Sequence, residues 1–153
     1  MAEAAARTLE AFKMHFNSME PAIATGAEVI AEHGYYASHH PCRWEVVLFS
    51  LPDGSGPFVK RILGLPGETV RLTSEGVKVN GHLLALPSHL KDCFSSVKHH
   101  ANNKHGSTEF KVPDGSVFVL GDNTSIHVAD SREHGAIPMG NLEARVVASV
   151  NLM

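Results

Sequence analysis

A chain of 153 residues with a net charge of −3 can bury one sizeable core, and it carries no basic stripe that would suit nucleic acid. Two cysteines, Cys42 and Cys93, allow at most one bridge, which excludes a disulfide scaffold. No apolar run approaches the roughly 20 residues that a membrane-crossing helix requires.

Residues 1–16, MAEAAARTLEAFKMHF, are rich in helix formers and place Ala5, Leu9, Phe12 and Phe16 four, three and four residues apart. That period predicts a short amphipathic helix, packed on the core or lying on a membrane surface. Gly26 breaks the chain, and Val29 and Ala31 then alternate with polar neighbours as in a strand, so Ser18 is expected just before a strand. Residues 34–43, with Tyr35, Tyr36, His39, His40 and Pro41, lack a period and read as a loop.

Residues 44–51 predict a strand ended by the turn Pro52-Asp53-Gly54-Ser55-Gly56, and residues 58–63 its hairpin partner. After Pro66-Gly67, residues 69–73 and 77–80 read as strands, the second closed by Asn80-Gly81, a strong hairpin signal. Residues 87–106 are polar and histidine-rich and read as an insertion or mobile loop. Strands return at 109–112, 116–120 and 145–150. The expected fold is mainly β: one antiparallel, barrel-like domain over residues 1–153, with a helix at 1–16 and a loop insertion at 87–106.

A serine hydroxyl needs a base to become a nucleophile, and a lysine can be that base only when uncharged. Lys60 lies among Phe58, Val59, Ile62 and Leu63, where desolvation would disfavour its ammonium form. Strand alternation puts Phe58, Lys60 and Ile62 on one face and turns Arg61 to the other. Gly121-Asp122-Asn123 follows an apolar strand, and Asp130-Ser131-Arg132 comes next. Asp130 and Arg132 are candidates to brace the loop beside Lys60, and the Ser125 and Ser131 hydroxyls are candidates to orient its amine. His99, His100 and His105 lack helical spacing or a companion set of cysteines or carboxylates, so no metal and no cofactor is expected. His39, His40 and His127 read as loop residues, and no G-x-S-x-G supports a triad through His127 or His134.

Four stretches occur in a telling order: SMEPAIATGAEVIAE, WEVVLF, FVKRILGLPGETV and VPDGSVFVLGDNTSIHVADSREHGAIP. Together they resemble the boxes of the type I signal (leader) peptidases, the serine-lysine family that includes a mitochondrial inner-membrane branch. The resemblance implies that family's β-rich fold and a serine endopeptidase that removes leader peptides after small residues. It further implies Ser18 as nucleophile, Lys60 as general base and the Ser18 backbone N–H in the oxyanion hole. Met19, Pro21, Phe58 and Val59 would line the oxyanion and substrate site, with Asp122, Asn123, Asp130, Ser131 and Arg132 in support. The implied partner is a leader-bearing protein or peptide at a membrane.

The chain departs from the family pattern in four places. Gly26-Ala27 and Trp44-Glu45 stand where members commonly have Gly-Asp. Phe16 replaces a serine that donates to the oxyanion in some members, and the GDN to DSR spacing is one residue longer. Two other readings compete. A self-cleaving repressor-type serine-lysine protease expects a cleavage site and a DNA-binding domain ahead of the serine, for which seventeen residues leave no room. A retired peptidase domain that binds peptides by strand addition is expected to lose Ser18 or Lys60, and both are present.

Overall fold

The computed structural model describes residues 7–94, 109–125 and 129–150. Its strands are β1 (Thr8–Lys13), β2 (Glu28–His33), β3 (Val46–Phe49), β4 (Phe58–Gly64), β5 (Thr69–Thr73) and β6 (Gly76–Val79), then β7 (His82–Leu83), β8 (Glu109–Lys111), β9 (Ser116–Leu120), β10 (Ile137–Pro138) and β11 (Leu142–Val150). One four-residue helix, α1 (Ser131–His134), interrupts them. The strands form a seven-stranded sheet in the order β1-β2-β11-β3-β4-β9-β10 and a four-stranded sheet in the order β7-β6-β5-β8. Every pairing is antiparallel. The larger sheet is open, with β1 and β10 at opposite edges, so the fold class is antiparallel β without barrel closure.

The expected N-terminal helix is overturned over its described part. Residues Thr8–Lys13 pair with β2 in register from Thr8 opposite His33 to Lys13 opposite Glu28. The apolar period of a helix would have buried Leu9 with Phe12 and Phe16, yet Leu9 is 71% and Phe16 72% exposed, and Phe12 alone of the three packs on the core. So short a segment gains little from helix propensity in isolation, and a ladder to a neighbouring strand outweighs it. Ala5 and the other residues before position 7 lie outside the described residues.

The β5 and β9 ranges match the sequence reading, and the Asn80-Gly81 hairpin carries the positive φ values, +51° and +84°, of the tight turn it signals. The short β7, β10 and α1 were not expected. Part of the 87–106 segment is core rather than mobile loop: Leu90, Cys93 and Phe94 are buried among Val77, Phe110 and Phe118. Its histidine-rich portion lies outside the described residues, as does His127. Cys42 is exposed, Cys93 is buried, and they do not pair.

Three apolar clusters hold the sheets. Leu63, Phe118 and Leu120 of the large sheet meet Val70, Leu72, Val77 and Val79 of the small one. The approach is close at Gly64, where an added Cβ would lie 2.6 Å from Val70 Cγ2 and 2.9 Å from Phe118 Cβ. A second cluster joins Met14, Met19, Ile23, Ala27 and Val29 to Leu48 and Val59, beneath the loop that carries Ser18. The third packs Val47, Phe49, Ile62, Val117 and Val119.

Candidate active site

Ser18 sits in the turn that leads from β1 toward β2 and is 4% exposed. Backbone bonds tie the base of this loop, from Met14 N to Ala27 O at 2.9 Å and from Gly26 N to Met14 O at 2.7 Å. Within it, Glu20 N donates to Asn17 O and Ile23 N to Met19 O, while Glu20 Oε1 accepts from the Thr25 hydroxyl at 2.9 Å. Met19 and Ile23 sink into the core below, so burying their side chains fixes the loop on which the serine stands. The Ser18 N–H donates to no described residue.

The Gly121-Asp122-Asn123 turn seizes that loop from the opposite side, each residue in a different way. Gly121 leaves no room for a side chain, because a Cβ there would stand 2.6 Å from Ser18 O and 3.6 Å from Lys60 Nζ. Asn123 N donates to Ser18 O at 3.0 Å, and Asn123 Nδ2 to Asn17 O at 3.2 Å. Asp122 accepts two 2.8 Å bonds from Arg61 Nε and Nη2, a buried fork, and Arg61 Nη1 donates to Trp44 O at 2.7 Å. Trp44 holds a positive φ of +78°, an uncommon conformation for a residue other than glycine, and this bend presents its carbonyl to Arg61.

Lys60 lies in β4, opposite Val47 of β3, and is 3% exposed. Burial lowers its pKa from 10.5 to about 8; the nearby Asp130 carboxylate opposes the shift, Arg132 reinforces it and Asp122 opposes it. Among the described residues, Lys60 Nζ has neither an ion pair nor a hydrogen bond, and Ser18 and Lys60 are not hydrogen-bonded to each other. Phe58 and Ile62 belong to the third apolar cluster. Arg61, expected to face away from the lysine, is buried as well, because β4 is covered on both faces.

Asp130 and Arg132 form the second buried ion pair. Arg132 Nη2 donates to Asp130 Oδ2 at 2.6 Å, Arg132 N caps α1 by donating to Asp130 Oδ1 at 3.0 Å, and Arg132 Nη1 reaches Thr124 O at 2.7 Å. The pair thus staples the two sides of the segment after the GDN turn. Neither serine named as an orienting group bonds to Lys60. Ser131 Oγ accepts from Val119 N at 2.9 Å, and Ser125 Oγ donates to Asn123 Oδ1 at 2.6 Å.

Ser18 and Lys60 line one cleft of about 680 Å³, walled by Phe12, Met14, Phe16, Leu48, Pro57, Phe58 and Val59, with Glu10, Lys13, His15 and Asn17 also on its lining. Of the sequence candidates, Ser18, Lys60, Phe58 and Val59 meet there. Met19 is in the core and Pro21 is exposed, and neither borders the cleft. Sequence reasoning missed Arg61 as a partner of Asp122, and it missed Phe12 and Met14 as cleft walls. A second cation in an apolar strand was the available signal for Arg61, since a buried guanidinium demands an anion.

An antiparallel β scaffold thus brings a buried serine and a desolvated lysine to one apolar cleft. The family model described as signal peptidase, peptidase S26, matches residues 3–151, and the chain belongs to that family. It is 36% identical over 138 residues to signal peptidase I V of Bacillus subtilis, covering 86% of this chain and 79% of that protein. It is 32% identical over 106 residues to mitochondrial inner membrane protease subunit 1 of Saccharomyces cerevisiae, covering 69% of this chain and 47% of that one. The crystal structure of a signal peptidase I from Enterococcus faecalis superposes with a TM-score of 0.53 at 28% identity, covering 72% of this chain and 98% of the other. The chain thus spans between 47% and 79% of the length of these two curated relatives.

Proposed function

We propose that the chain is a serine endopeptidase that cleaves leader peptides after small residues, with Ser18 as nucleophile and Lys60 as general base. The observation that carries this reading is the shared cleft: a buried serine hydroxyl and a buried lysine, its pKa lowered to about 8, border one apolar channel. A lysine of ordinary pKa would be almost wholly protonated near neutrality, whereas one near 8 offers a useful neutral fraction.

In the proposed reaction the substrate lies extended in the cleft with its scissile carbonyl over Ser18. Lys60 Nζ closes on Ser18 Oγ, takes its proton as the oxygen attacks the carbonyl carbon, and returns that proton to the departing amine. The contact tightens when substrate excludes water, as acid-base hydrogen bonds do on formation of the reactive complex. The unengaged Ser18 N–H is available to the developing oxyanion. Water then hydrolyses the acyl-enzyme ester with Lys60 again as base. The Arg61–Asp122 fork and the Asn123 bonds act as positioning groups, since they hold the serine loop against the lysine strand.

The test is Ser18→Ala assayed on a leader peptide with small residues before the cut. Cleavage should fall by at least about 10³-fold while the thermal transition stays near that of the parent. Retained turnover would overturn the nucleophile assignment.

A further inference from the structure

The cleft is apolar for most of its length, yet Glu10 of β1 contributes a carboxylate to its lining, the sole acidic side chain among the described residues there. Glu10 shares a strand face with Phe12, because both lie opposite β2 residues that turn into the core, Ala31 and Val29. It is held in place by His33, whose Nε2 lies 2.9 Å from Glu10 Oε1. The Glu10 side chain is half exposed and has a second oxygen with no partner among the described residues.

We infer that Glu10 is a specificity residue that selects a lysine or arginine in the substrate, several residues before the scissile bond. The inference rests on the peptidase reading above, which puts the residues before the cut in the cleft. From Met14 back to Glu10, a strand rising about 3.3 Å per residue covers roughly 13 Å, the length of about four extended substrate residues, so with the cut over Ser18, beyond Met14, the matching substrate residue lies at least about four positions before the cut. Phe12 and Met14, with Leu48 and Val59 opposite, take the intervening apolar or small side chains. A cation that reaches Glu10 lays its aliphatic stem along these walls, while its charged head meets a half-exposed carboxylate whose attraction salt screens. Lys13, also on the lining, sets the opposite sign nearer the serine, so a cation is favoured at the Glu10 end and not along the whole cleft.

The experiment is a peptide series with a fixed cleavage site in which one lysine, or in a parallel set one glutamate, replaces norleucine at each of the third to eighth positions before the cut. The parent chain, Glu10→Gln and Glu10→Lys are compared by kcat/KM. The parent should favour lysine over norleucine by about two- to fivefold at one or two adjacent positions, an advantage that 0.5 M salt reduces. Glu10→Gln should bring that ratio close to one, and Glu10→Lys should favour glutamate at the same positions. A flat series in the parent, or a lysine advantage that survives in Glu10→Gln, would overturn the inference and leave the peptidase reading standing. Failure of the parent to cleave any member would overturn the peptidase reading itself.

Discussion

Two neighbouring cations on β4 are both buried, and the structure treats them in opposite ways. Arg61 is locked by Asp122 through two 2.8 Å bonds and by the Trp44 carbonyl, whereas Lys60 has no such partner among the described residues and its pKa is lowered to about 8. The fork keeps a permanent charge and uses it to fasten the GDN turn to the sheet. The lone amine keeps a labile proton and faces the cleft with Ser18. Adjacent residues of one strand thus carry a paired, permanent charge and an unpaired amine of lowered pKa, and under the proposed function the guanidinium and ammonium chemistries suit a structural and a reactive task.

The largest break in this comparison should come from Arg61→Met. It leaves the Asp122 carboxylate buried without its cation and should cost about 3–5 kcal/mol in chemical denaturation. An unchanged midpoint would mean that the fork contributes no net stability and that buried Met19 and Ile23, with the Asn123 and loop-base hydrogen bonds, hold the serine loop without it.

Lys60→Met should act in the opposite direction. The folded pKa of about 8 lies below the reference 10.5, so the folded state binds the proton less tightly than the unfolded one. The cost to stability is complete below about pH 8, shrinks as pH rises from 8 to 10.5, and is absent above that. Lys60→Met should therefore raise stability by up to about 3 kcal/mol at pH 7 and by little at pH 11, measured as paired denaturation curves. A destabilised Lys60→Met at pH 7 would show that Asp130 and Asp122 stabilise the ammonium more than burial penalises it.

The smallest effect should follow Asn123→Ala, which removes the bond to Asn17 O but keeps the backbone bond to Ser18 O. It should cost about 1 kcal/mol in stability and, under the proposed function, lower kcat more than it raises KM, because it loosens the loop that carries Ser18 rather than the cleft walls. An equal change in KM alone would place Asn123 in substrate binding.

Much of this arrangement was legible in the sequence. β4, β5 and β9 could be read from branched residues between turn signals, and Lys60 stood out as a charge in an apolar run. Ser18 could be singled out only through its company, since an isolated serine in a loop carries no period and no charge. β1 was misread because six residues of helix formers obey local propensity only when no neighbouring strand offers a ladder, and β2 offers one. That error hid Glu10, Phe12 and Met14 from the list of cleft residues. The Arg61–Asp122 fork joins positions 61 residues apart, a distance over which local patterning carries no information. Nothing local in the sequence marks the requirement at Gly121, where a Cβ would stand 2.6 Å from the Ser18 carbonyl oxygen.

The central claim is that Lys60 is the base, and a pH-rate profile of kcat/KM beside Lys60→Arg tests it most directly. The lowered pKa predicts an ascending limb centred near pH 8 in the parent and no measurable cleavage by Lys60→Arg, whose guanidinium stays protonated throughout the range. A limb near pH 10, or cleavage that persists in Lys60→Arg, would contradict it.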